Sequence, residues 1–210
     1  MSPLLPRLAK RRIVLSCAHA DGESGVRSAD GRLEEHAYSQ LVVCAAAVEL
    51  IGRGHDVRIV EELLATKIQQ INDWSPAVIV EPHVNRNPDH PSARGFYPVH
   101  HRGSVRAREL AVQIEAALFE KFGSRWPATD GQGQPVNGGW GPKEFPSEWV
   151  ARPRLPLLEE TRAPAVIVEL GFASNEADVG LLMQPDTAEQ IGHALADGIC
   201  RWLATDGGSP

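Results

Sequence analysis

Residues 165–178 read AVIVELGFASNEAD. The run from Ala165 to Val168 is apolar and β-branched, as expected of a strand buried on both faces. It delivers one acid, Glu169, to the point where the strand gives way to a loop containing Gly171. Open α/β sheets keep their chemistry at such C-terminal strand ends. Two earlier runs repeat the arrangement with an imidazole in place of the acid. RRIVLSCAHA, residues 11–20, brings His19 to the end of a predicted strand, and PAVIVEPHVN, residues 76–85, brings His83. Two imidazoles and a carboxylate are therefore expected to converge.

Outward from these three runs, strands and helices alternate. The first strand is expected over 13–18, followed by a loop from Asp21 to Arg32 too polar to pack as core. From Glu35 to about Arg53, Tyr38, Leu41, Val42, Ala45, Val48 and Ile51 recur at helical spacing, and Gly54 offers a stop. HDVRIVEE alternates like a strand, and a second helix runs from Glu61 to about Trp74 before Pro76 opens the strand that carries His83. Residues 86–103, rich in Pro, Asn, His and Arg, read as one long loop of the functional kind. Ser104 caps a helix ending near Gly123, a Gly/Pro/Trp-containing insertion fills 123–149, and a last helix covers about Thr187–Leu203. The short links favour parallel strands with right-handed crossovers. The fold class is α/β: a single three-layer domain, its twisted, mostly parallel sheet covered by helices on both faces. The expected division is a lead-in at 1–10, a catalytic domain at 11–204 and a flexible tail at 205–210.

A chain of 210 residues, 42% hydrophobic, can bury a full core without disulfide staples. Cys17, Cys44 and Cys200 lack metal-ligand or redox spacing and read as free thiols. The net charge of -6 argues against nucleic acid, and the basic cluster at Arg7, Lys10, Arg11 and Arg12 reads as a solvated lead-in. The first twelve residues, MSPLLPRLAKRR, lack the apolar core of a signal peptide, and no stretch is long enough to span a bilayer. Synthesis in the cytoplasm without membrane insertion is the expectation.

Two neutral imidazoles and one carboxylate form a three-ligand set that leaves a fourth zinc position for water, the arrangement of hydrolytic sites. The acid that best completes His19 and His83 is Glu35, which opens the first helix, where the positive helix end favours a carboxylate. Glu34 is the rival by one position. Glu169 fits a general base that becomes a general acid, worth typically about 10²–10⁴ in rate. Glu81 shares a strand face with His83 and could orient its ring from behind, while Pro82 suggests a strand already ending. Blander readings exist for each. A lone strand-end histidine is more often hydrogen-bonded structure than ligand, and Glu35 alone could be a favourable first-turn charge. Glu169 resists this, since a carboxylate after AVIV is costly to bury unless paired or used.

The ordered set of strand-His19, Glu35 opening a helix that ends in GRGHDV, PHVN around His83, and PAVIVELGFASNEAD around Glu169 resembles the zinc-dependent N-acetylmuramoyl-L-alanine amidases of peptidoglycan. The likeness spans roughly residues 11–203 and is strongest at the last motif. It implies hydrolysis of the amide between the lactyl group of N-acetylmuramic acid and the L-alanine of the stem peptide. It further implies that Zn²⁺ is held by His19, Glu35 and His83, with Glu169 as the catalytic acid. Peptidoglycan or a muropeptide would be the substrate, with Asn85, Arg94 and Trp140 as weaker contact candidates. Two departures stand out. Ser16-Cys17-Ala18-His19-Ala20 replaces the family's Asp-Pro-Gly-His-Gly, and Glu81 stands where a small residue is usual. The same ligand chemistry would also serve an amidohydrolase or carboxypeptidase acting on a small acyl-amino acid, and the altered first motif leaves room for a non-catalytic wall-binding module. Loops bearing Trp126, Trp140 and Trp149 favour the polymeric substrate. Delivery by phage-type release or by dedicated export would bring such a protein to the wall.

Overall fold

The computed structural model of the chain describes residues 10–20, 23–147 and 154–205, so the proposed lead-in up to residue 9, most of the tail and Trp149 lie outside the described residues. The strands are β1 (Arg12–Ser16), β2 (Asp56–Val60), β3 (Val78–Asn85), β4 (Phe96–His101), β5 (Lys143–Phe145) and β6 (Ala165–Phe172). The helices are α1 (Glu35–Gly52), α2 (Leu64–Trp74), α3 (Val105–Phe122), α4 (Pro156–Glu160), α5 (Glu176–Leu182) and α6 (Thr187–Thr205). The strands form one sheet in the order β2-β1-β3-β6-β4-β5, parallel except where β4 runs against β6. Side chains alternate across a strand, so the sheet has two differently clad faces. Ile13, Leu15, Val78, Val80, Val166 and Val168 pack under α1, α3 and α6. Val14, Ile79, Ala165 and Ile167 pack under the shorter α2 and α4.

The long helices meet at glycines. A Cβ on Gly192 of α6 would stand 2.8 Å from the backbone N of Ala46 in α1, and one on Gly198 would stand 2.7 Å from Cα of Ile114 in α3. Only the absent side chains allow α6 to lie this close to both neighbours.

Ser104 caps α3 as its sequence suggests, accepting from the Ala107 N–H at 3.2 Å. Residues 86–103 differ from expectation, because they hold the antiparallel strand β4 and bury His100. Pro98 and two adjacent histidines disguise that strand, whose partner β6 lies about seventy residues on. β3 likewise continues past Pro82 to Asn85. It pairs with β1 only as far as Val80, and beyond that point Pro82 needs no strand partner on that side; its carbonyl takes a hydrogen bond from Ser39 Oγ at 2.7 Å instead. The first strand stops at Ser16 rather than 18, and the second helix starts at Leu64 rather than Glu61. α5 and β5, short elements within polar or Gly/Pro-rich sequence, had no periodic signal to betray them.

Candidate metal centre

The thin face of the sheet turns from apolar to polar towards its C-terminal edge. Along β1 it reads Val14 then Ser16, along β3 Ile79, Glu81 and His83, and along β6 Ala165, Ile167 and Glu169. His83 and Glu169 are direct partners in the β3–β6 register, which sets their backbones about 4.8 Å apart.

His19 lies just beyond β1 with φ 61°, a left-handed conformation that costs an ordinary residue about 1–2 kcal/mol. With Ala18 and Ala20 as its flanks, the bend falls on the histidine itself. Glu35 opens α1 and is only 2% exposed. The backbone fixes its carboxylate from two sides: Oε2 accepts from Val26 N–H at 2.8 Å and Oε1 from Val84 N–H at 3.1 Å. His19 Nε2 lies 3.0 Å from Oε2, and His83 Nδ1 lies 2.8 Å from Oε1. The imidazole centroids are 5.6 Å apart. One ligand atom from each of His19, Glu35 and His83 falls within 4.8 Å of the other two, close enough to share one cation.

Gly25 makes room for this cluster. At φ 68°, a Cβ there would stand 2.3 Å from Glu35 Oε2 and 2.8 Å from His19 Nε2. The close backbone approach that no glycine beside His19 provides comes instead from the following loop.

Glu81 holds the far side of His83, accepting from Nε2 at 2.8 Å. Its other oxygen takes hydrogen bonds from Ser16 Oγ and from Lys67 Nζ. Burial, the largest single influence on both Glu35 and Glu81, would push each carboxyl up; the imidazole hydrogen bonds and the charge of His83, helped by the Val26 amide at Glu35 and by Lys67 and Ser16 at Glu81, together reverse it and hold both below the ordinary range. For His83 burial favours the neutral ring, but the hydrogen bonds to Glu35 and Glu81 and the charges of Glu81 and Glu169 outweigh it and push the pKa up. Three carboxylates, Glu35, Glu81 and Glu169, act on His83, and Lys67 pairs with Glu81 at 2.9 Å.

A cleft of about 260 Å³ opens onto this cluster between the His19 turn and the start of α4, with Leu63, Leu64 and Leu155 as apolar wall and Glu62 and Arg154 at its rim. Of the other predicted contacts, Asn85 donates from Nδ2 to the Tyr97 hydroxyl, and Tyr97 is the β4 partner of Glu169. Trp140 leans on Tyr97 at 6.2 Å between centroids and donates to the Arg94 carbonyl at 2.7 Å. The Arg94 guanidinium is turned to buried Asp178, 3.1 Å from its Oδ1. Trp126 also donates to Asp178, at 2.9 Å, and is core rather than a stacking surface. Glu34, the rival ligand, pairs with Arg27 at 2.6 Å. His36 turns to the Ala18 carbonyl and Glu61. Lys67, Ser39, Gly25 and Asp178 escaped the sequence reading; for Lys67 the available signal was its place on the inward stripe of α2 with Ile68 and Ile71.

The model of the N-acetylmuramoyl-L-alanine amidase family matches residues 13–201. The chain belongs to that family. This amidase-family chain resembles solved structures across nearly its whole length. The N-acetylmuramoyl-L-alanine amidase AmiC2 of Nostoc punctiforme matches with a TM-score of 0.77 at 17% identity, covering 93% of this chain and 98% of that one. The amidase Ami1 of Mycobacterium smegmatis gives 0.76 at 18%, covering 95% and 99%. The catalytic domain of the CD27L endolysin, described as targeting Clostridia difficile, gives 0.68 at 20%, covering 91% and 97%. At these identities the structural likeness establishes the α/β fold, while membership of the enzyme class rests on the family match. No curated protein sequence matches the chain. Among the described residues, no helix is long and apolar enough to cross a membrane.

Proposed function

We propose that this chain is a zinc-dependent hydrolase that cuts the amide between the lactyl group of N-acetylmuramic acid and the L-alanine of the peptidoglycan stem peptide. The observation that carries the reading is the meeting of His19, Glu35 and His83 within 4.8 Å, beside Glu169 on the neighbouring strand. The donor set fits zinc: two imidazoles and a carboxylate within reach of one ion, and a glycine that leaves the space open. When bound, zinc supplies a Lewis acid for the amide carbonyl and lowers the pKa of water from about 15.7 towards 7.

The chain's own residues do the rest. Glu81 accepts a hydrogen bond from Nε2–H of His83 and so turns Nδ1 towards the ligand cluster. Glu169 takes a proton from the attacking water and returns it to the leaving nitrogen, so that the stem peptide departs as a neutral amine. Asn85 and Trp140, joined through Tyr97 to the same face, flank the glycan or peptide. Arg94 is committed to Asp178, and we assign it to holding the loop before β4.

The test is digestion of purified peptidoglycan with and without a chelator, with the products identified by mass. The expected result is a new L-alanine amino terminus on the released peptides, lost with chelator and regained with zinc. Cleavage confined to small acyl-amino acids, or of another wall bond, would overturn the substrate assignment. Binding of wall without cleavage, in zinc-loaded protein, would point to a retired enzyme.

A further inference from the structure

The strand ends that carry His19 and His83 are fastened to each other from both faces of the sheet. From the thick face, Ser39 of α1 accepts from the Ala18 N–H at 2.9 Å and donates to the Pro82 carbonyl at 2.7 Å. From the thin face, Lys67 of α2 donates to the Cys17 carbonyl at 2.6 Å and to Glu81 Oε2 at 2.9 Å. Each fastening residue thus reaches within two positions of both imidazoles.

Lys67 is the more demanding of the two. It is 3% exposed, and an ammonium at that depth is costly unless its charge is answered. Replacing a buried ion pair with apolar residues often costs nothing in stability, so packing alone gives no reason to keep one here. What the pair does locally is divide the acceptor capacity of Glu81. Oε2 is filled by Lys67 and Ser16, which leaves Oε1 for His83 Nε2. With the carboxylate clamped in this pose, Nε2 holds its proton towards Glu81, so the proton an ion would displace is the one on Nδ1, 2.8 Å from Glu35 Oε1, and the lone pair freed there faces the ligand cluster. The same ammonium pulls on the carbonyl of Cys17, two residues before the left-handed turn at His19.

We propose that Lys67 is a positioning residue for the metal centre, fixing the orientation and tautomer of His83 through Glu81 and the presentation of His19 through the Cys17 carbonyl. The inference rests on His19, Glu35 and His83 being metal ligands. It extends the site to a helix that carries none of them.

The experiment measures zinc affinity of the whole chain by competition with a chromophoric chelator, alongside thermal unfolding and ¹⁵N spectra of the histidine rings in zinc-loaded protein. Wild type is compared with Lys67→Met and with the double variant Lys67→Met/Glu81→Gln. Lys67→Met alone strands a buried carboxylate and can impair folding; the double variant removes both charges together and restores stability. Removal of such an outer support typically weakens metal binding about 10- to 100-fold, and both variants should show that loss. In the double variant the unclamped amide can present either its oxygen or its NH₂ to Nε2, so the single-tautomer signature of His83 should give way to a mixture. A stable double variant that binds zinc within about threefold of wild type, well short of the usual outer-support loss, and keeps one His83 tautomer would overturn the proposal while leaving the ligand assignment standing. Wild type that binds no zinc would instead remove the ligand assignment, and the proposal with it.

Discussion

On one face of the sheet, three helices of 18, 18 and 19 residues bury a continuous apolar layer, with α6 pressed against α1 and α3 at Gly192 and Gly198. On the other face, helices of 11 and 5 residues pack over Val14, Ile79, Ala165 and Ile167, and the cleft beside them opens onto Glu81 and His83. The difference separates two tasks. A face closed by long helices supplies stability, and a face left short keeps an opening where charged groups can meet a ligand. Substitutions on the two faces should therefore fail in different ways, one in unfolding and the other in chemistry.

The largest effect is expected at Glu169. Glu169→Gln keeps the side chain's size and removes its base, so turnover of peptidoglycan should fall by about 10²–10⁴. Zinc stoichiometry and melting temperature should stay at wild-type values. Loss of metal in this variant would move Glu169 into the ligand set and redraw the division of roles on the thin face.

The opposite signature belongs to Gly198. A side chain there meets backbone, Ile114 Cα at 2.7 Å, which cannot turn aside as a flexible side chain would. Gly198→Val should cost about 1–3 kcal/mol through overpacking, seen as a lower melting temperature of about 2–4 °C per kcal/mol for a chain of this size. Turnover per folded molecule should not change. A stable variant with damaged catalysis would mean that the α3–α6 crossing transmits to the site, and the separation of tasks would be wrong.

How much of this was legible in the chain differs between the faces in the same way. The buried strands carrying His83 and Glu169 announce themselves as β-branched runs, and α1 and α3 by spacing and caps, because each signal is local. The convergence of His19, Glu35 and His83 followed from strand ends and one helix start. β4 was hidden, since Pro98, His100 and His101 read as loop until β6 lies alongside. Lys67 and Ser39 were hidden for a further reason: their partners at Cys17, Glu81, Ala18 and Pro82 are distant in sequence, and a lysine on a helix is ordinarily solvent-facing. Gly25 sat in a loop whose composition predicts irregularity and nothing about which glycine is indispensable.

That glycine sharpens the comparison next. Gly25→Ala places a methyl at 2.3 Å from Glu35 Oε2 and asks alanine to hold φ 68°, a conformation costing roughly 1–2 kcal/mol. If the loop yields by shifting away from the ligands, zinc affinity should drop about tenfold, the equivalent of about 1.4 kcal/mol, with a smaller change in melting temperature. Unchanged zinc binding would show that the cluster tolerates displacement of Glu35, which would argue against that carboxylate as a ligand.

The smallest effect distinguishes neighbours. Glu34 and Glu35 differ by one position, yet Glu34 points to the half-exposed Arg27 while Glu35 lies 2% exposed between two imidazoles. Exposed ion pairs contribute about 0–1 kcal/mol, so Glu34→Ala should shift stability by no more than that and leave zinc bound. Glu35→Ala, which strips an oxygen from each histidine and an acceptor from the Val26 and Val84 amides, should release the metal. Retention of zinc in Glu35→Ala together with its loss in Glu34→Ala would shift the helix phase by one residue and place the ligand on the surface. The buried, doubly hydrogen-bonded setting of Glu35 would then be structural, and the thin face would owe its open end to something other than a metal.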